Sequence, residues 1–209
     1  MKNYAICLFL LCAVGLTTAY GQVKFGLKGG LTLSNAVIKG GGIELDTDIL
    51  TTFHIGAVAE FGVSENIGIN TGLLLTGRGY KYTFDFLGTS EEFKNSLMYV
   101  QIPVNVIYNA DLFYFSAGPY LGIGVAGNSD NGDEKVDVEF GNGEDDDVSP
   151  MDIGLNVELG VNLNNVRLGL GYGLGLFNTV PSDQQDGEDE DFKATNNAIN
   201  VSATYFFGG

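Results

Sequence analysis

Val166-Arg167-Leu168-Gly169-Leu170-Gly171-Tyr172-Gly173-Leu174-Gly175-Leu176 decides how this chain folds. Bulky side chains and glycine alternate strictly, a period of two that belongs to a strand and not to a helix. Glycine on four successive positions of one face would weaken a strand facing water without any return. Inside a narrow barrel the same pattern is useful, because the lumen barely admits side chains and some must be missing. The leucines then point outward, where hydrocarbon can meet them. A soluble barrel with its faces reversed leaves the glycine stripe unexplained.

The period holds on both sides of this stretch. Met151, Ile153, Leu155, Val157, Leu159 and Val161 alternate with Asp152, Gly154, Asn156, Glu158, Gly160 and Asn162. Phe113, Phe115, Ala117, Leu121 and Ile123 oppose Tyr114, Ser116, Gly118, Tyr120 and Gly122, and Ile199 to Phe207 closes the chain in the same manner. Toward the N-terminus, runs beginning at Val23, Phe53, Ile67 and Met98 repeat it. Together these predict eight strands of about ten residues, the length a tilted transmembrane strand needs. Short connections are expected at 64–66, 109–111 and 162–165. Long ones are expected at 36–50, 85–95, 128–150 and 179–194. Strict short–long alternation predicts an all-β, antiparallel up-and-down transmembrane barrel with periplasmic turns and outer loops. Pro103, inside the fourth run, predicts a bulge or kink because it cannot donate to the ladder.

Glycine is 31 of 209 residues, roughly double the usual share of about 7%. The net charge is −16. Nucleic acid is excluded as a partner, since its phosphates would be repelled. The excess charge lies in the long connections: residues 128–150 hold nine acids and one lysine, and residues 179–194 hold six acids and one lysine. Lys28, Glu60, Glu158 and Arg167 instead fall on the glycine face, where opposite charges must pair because an isolated buried charge is costly.

Residues 1–21 read as a secretory signal: a basic start, an apolar run from Ala5 to Leu16, and small residues at Ala19 and Gly21. Cleavage before Gln22 leaves the barrel domain, 22–209. Cys7 and Cys12 both leave with the signal, so disulfides, thiol catalysis and cysteine-ligated metals go with them. Leu11 before Cys12 argues against lipidation.

The segment Val23-Lys24-Phe25-Gly26-Leu27-Lys28-Gly29-Gly30-Leu31-Thr32-Leu33-Ser34-Asn35 resembles the first strand of the PorT-like outer-membrane β-barrel family of Bacteroidota. Tyr99-Val100-Gln101-Ile102-Pro103 and Ala117-Gly118-Pro119-Tyr120-Leu121-Gly122 are similar to its middle strands. The resemblance implies residence in the outer membrane among lipid and lipopolysaccharide. It also implies a terminal aromatic strand, here Tyr205-Phe206-Phe207, read by the barrel-assembly machinery. It supplies no activity.

His54 is the only histidine. It is expected inward near the outer end of the second strand, with Asp152 at the outer end of the sixth. An enzyme working at the rim through His54 and nearby acids is one alternative, although no nucleophile motif accompanies it. A small-solute pore is another. Asp145, Asp146 and Asp147 are the candidate ligands for weak Ca²⁺ binding in a mobile acidic loop; a second acidic stretch runs from Asp183 to Asp191. The reading that the residues favour is a non-enzymatic, monomeric barrel without a cofactor, its lumen filled by side chains.

Overall fold

The structure, a computed structural model, describes residues 23–40, 43–86, 89–132, 134–143, 145–181 and 193–207. The signal sequence with its cleavage point and both cysteines, and the acidic stretch 183–191, lie outside the described residues. Ten strands follow in order: β1 (Val23–Gly40), β2 (Ile43–Asp46), β3 (Leu50–Gly62), β4 (Ile67–Phe86), β5 (Thr89–Ala110), β6 (Phe113–Asp130), β7 (Lys135–Asp137), β8 (Met151–Leu163), β9 (Val166–Gly175) and β10 (Lys193–Phe207). Eight of them form one antiparallel meander, and β10 pairs with β1 to close it.

The register sets the shape. Crossing the ladder from Val23, partners run through Phe61, Ile69, Val106, Ala117, Val157, Tyr172 and Ile199. The circuit returns to β1 at Leu33, ten residues beyond Val23. Eight strands with a stagger of ten tilt by about 40–45° and enclose a lumen that side chains can fill. Every residue of that circuit points outward. Phe25, Val106, Leu159 and Leu170 are each more than half exposed, a girdle of large apolar side chains that suits hydrocarbon and not water. Phe61, Tyr108, Phe113, Tyr205 and Phe207 add aromatic rings near the short turns, where a membrane interface favours them. The β5–β6 and β8–β9 turns each place one residue in the left-handed region, Asp111 (φ 47°) and Asn164 (φ 55°). Short polar side chains tolerate that conformation.

Three expected loops are partly strand. β1 runs on to Gly40 and pairs with β2. The β4–β5 ladder continues unbroken to Phe86 opposite Thr89, so 85–95 is a hairpin standing beyond the barrel and not a loop. Its cross-strand pairs explain the extension. Tyr82 stacks on Phe93 with centroids 5.2 Å apart, and Glu92 bridges Lys81 (3.1 Å) and Lys94 (3.4 Å). The Lys81 hydrogen bond holds the Glu92 carboxyl below the usual carboxylate range in this water-facing part. The third case, 128–150, contains the end of β6, then β7, then a segment that turns inward.

Pro103 keeps the register on both sides of it, and Thr71 Oγ1 donates to its carbonyl at 2.7 Å. The bulge lies elsewhere. Met98 pairs with Ala126 and Tyr99 with Gly124, so Val125 is the extra residue. It shifts the parity of β6, and Gly127 faces inward where strict alternation points Ala126.

Candidate functional site: the filled lumen and its outer plug

The inward face is built in layers from the periplasmic end. In the first, Arg167 Nη1 donates to Glu60 Oε2 at 2.6 Å, Nε to Asn162 Oδ1 at 2.8 Å and Nη2 to Asn109 Oδ1 at 3.1 Å. Its guanidinium lies 4.5 Å from the Tyr114 centroid and 4.8 Å from that of Phe206. In the next layer Lys28 Nζ donates to Glu158 Oε2 at 2.5 Å, and the Tyr114 hydroxyl donates to Oε1 at 2.7 Å. The four charges expected on the glycine face therefore sit as two pairs. Gly169 opens the space for this: a Cβ there would collide with the Tyr114 hydroxyl and crowd Glu158.

His54 lies in the middle of the lumen and not at its rim, opposite Gly30 and Thr76. Thr32 donates its one hydroxyl proton to Asn200 Oδ1 (3.0 Å), so it accepts from His54 Nδ1 (3.0 Å). The other ring nitrogen, Nε2, lies 3.1 Å from the Ser202 hydroxyl, which donates to Glu158 Oε2 at 3.4 Å. Asp152 belongs to a different cluster, accepting from Tyr120 (3.2 Å) and Asn196 (3.5 Å). The two residues expected to share a rim site are thus engaged separately. The stagger of the barrel is the reason, since it sets equal positions on different strands at different heights.

The pattern did not single out Arg78, which is 2% exposed at the level of Asp152. Its Nη2 donates to Gln101 Oε1 at 3.1 Å, and its guanidinium carbon lies 5.5 Å from the Tyr120 centroid. Nor did it find the plug. Val138 and Val148, from the segment between β7 and β8, pack with Leu97 and Tyr99, and Phe140 meets Tyr99 edge-on at 5.8 Å. Gly124 is the seat of the Phe140 ring, where any side chain would overlap it. The alternation Val136-Asp137-Val138-Glu139-Phe140 inside an acidic stretch carried the signal, masked by its charge.

The acids of that segment hold its fold. The Asp146 carboxylate accepts from Gly143 N (2.7 Å), and Asp147 Oδ2 accepts from Glu139 N (2.8 Å). Asp145 is exposed. Asp146 and Asp147 thus hold backbone N–H groups of the turn, and among the described residues no group of three acids or histidines is placed to hold one ion. The mobile loop expected at 128–150 is, over 138–148, a cap tucked into the mouth.

Side chains divide the interior into separate spaces: about 310 Å³ at the periplasmic end, about 40 Å³ in the middle and about 320 Å³ beside the plug. A closed eight-stranded ring with an apolar exterior and a charged, paired interior defines an integral β-barrel of the outer membrane. The chain belongs to the outer membrane protein beta-barrel domain family, whose match spans residues 17–180. Among solved structures, Neisserial surface protein A (NspA) superposes with a TM-score of 0.51 at 12% identity, covering 89% of this chain and 99% of that one. Ail, the attachment invasion locus protein of Yersinia pestis, follows at 0.46 and 9%, covering 89% and 99%. Outer membrane protein W of E. coli gives 0.41 and 11%, covering 90% and 100%. At such identities the likeness concerns the fold alone. A search of curated proteins finds no sequence match.

Proposed function

We propose that this protein is a closed, non-enzymatic barrel of the PorT-like Bacteroidota kind. It strengthens the envelope and presents the β4–β5 hairpin and an acidic outer rim to the surroundings. The plug carries this reading: Phe140, Val138 and Val148 seal the mouth above a lumen already crossed by the Lys28–Glu158 and Arg167–Glu60 pairs. The separate engagement of His54 with Thr32 and Ser202 and of Asp152 with Tyr120 and Asn196 speaks against a rim site built on both. In this reading the immediate partners are outer-membrane lipid and lipopolysaccharide, the assembly machinery reads the terminal aromatic strand, and the barrel works as a monomer. Reconstitution of the purified barrel into planar bilayers tests closure. The expected result is a silent membrane, and regular conductance steps from the wild-type chain would replace this reading with the small-solute pore.

A further inference from the structure

We propose that the middle of the lumen holds a small monovalent anion of halide size, bound by Arg78. The three cations of the inner layers are not treated alike. Lys28 and Arg167 each touch a carboxylate. Among the described residues, Arg78 has no carboxylate oxygen within ion-pair distance, and its Nε and Nη1 have no hydrogen-bond partner. A guanidinium so deeply buried with two idle donors is expensive unless something accepts from it. Asp152 stands at the same level but beyond ion-pair distance of Arg78, its two oxygens accepting from Tyr120 and Asn196.

The cavity that Arg78 lines measures about 40 Å³ and is shared with Lys28, His54, Gln101, Glu158 and Asn200. That is room for about two or three waters, or for one halide. The chemistry of the wall favours the anion. Gln101 Oε1 is taken by Arg78, Asn200 Oδ1 by Thr32, and Glu158 by Lys28 and Tyr114. The guanidinium and the amides of Gln101 and Asn200 thus present N–H donors to the space beside Arg78, which Asn156 also lines. Two acceptors near these donors have no partner among the described residues: Asn105 Oδ1, which lines the same cavity two inward positions below Gln101, and the Tyr99 hydroxyl, diagonal to Arg78 across the β4–β5 ladder. A water cluster needs acceptors as well as donors, whereas an anion needs donors only. With Lys28 and Glu158 cancelling, Arg78 leaves this cavity one positive charge.

Crystals of the detergent-purified wild-type barrel grown in bromide test the site by anomalous scattering. The expected result is one peak among Arg78, Gln101 and Asn200. In parallel, thermal unfolding is compared in chloride and in gluconate at equal ionic strength. A ligand that binds only the folded barrel raises its melting point, here by about 2–4 °C, and the halide dependence disappears in Arg78→Met. Should that variant fail to insert, the wild-type bromide data decide alone. Water-only density at Arg78, a guanidinium turned onto Asp152, or identical melting in both salts would overturn the proposal.

Discussion

At the scale of single residues, Arg167 shows how a lumen charge is tolerated. Its side chain is 10% exposed and that of Glu60 is 7% exposed, so either charge without the other would be buried at a high cost. One planar guanidinium meets a carboxylate, two amide oxygens and two aromatic faces, which a lysine could not reproduce. Arg167→Ala strands Glu60 and is expected to cost about 3–5 kcal/mol of barrel stability. The double variant Arg167→Met with Glu60→Leu removes both charges and should recover most of that loss. Urea unfolding in lipid vesicles measures both. Equal instability of the single and double variants would show that packing, and not charge burial, dominates at this layer.

At the scale of elements, the β6 bulge and the plug are one device. Val125 adds a residue to β6, Gly127 turns inward, and Gly124 clears the space that the Phe140 ring enters. Gly124→Leu should expel the ring and free the segment around 138–148, at little cost to the barrel, whose ladder stays paired below it. Protease added to intact cells then cuts this segment in the variant and leaves the wild type whole. Resistance of the variant would mean that the backbone bonds from Asp147 and Val148 to Glu139 hold the cap without the aromatic contact. The β4–β5 hairpin obeys the same logic in water, where a Tyr82–Phe93 stack and a lysine–glutamate–lysine cluster support the ribbon beyond the last pairing of β5 with β6, at Lys94–Asp130.

At the scale of the whole molecule, closure is the source of stability. Pairing of β10 with β1, continuous from Phe25–Phe207 to Lys39–Lys193, leaves the barrel no open edge. In hydrocarbon every unpaired backbone group costs several kcal/mol, so opening one seam penalises many groups together. The folded barrel should therefore survive SDS without heating and shift to a different mobility after boiling. Identical migration of boiled and unboiled samples would contradict a seam closed along its length.

The class, and the direction of each strand face up to the β6 bulge, are legible in the alternation alone. The period of two and the glycine stripe from Gly169 to Gly175 report on which side chains meet lipid, and one residue's environment along a strand needs no distant partner to be read. The same parity put Lys28, Glu60, Glu158 and Arg167 inside. Which charge meets which is a property of the closed ring, because partners more than a hundred residues apart are matched by the stagger of ten and not by spacing in the chain. That stagger also moved His54 away from Asp152 and left Arg78 without a carboxylate. The plug was hidden for a related reason: nine acids in 128–150 mark a stretch as solvated, while its two buried valines and half-buried phenylalanine take their meaning from a bulge on another element. Local alternation fixes orientation, but pairing depends on closure of the whole ring.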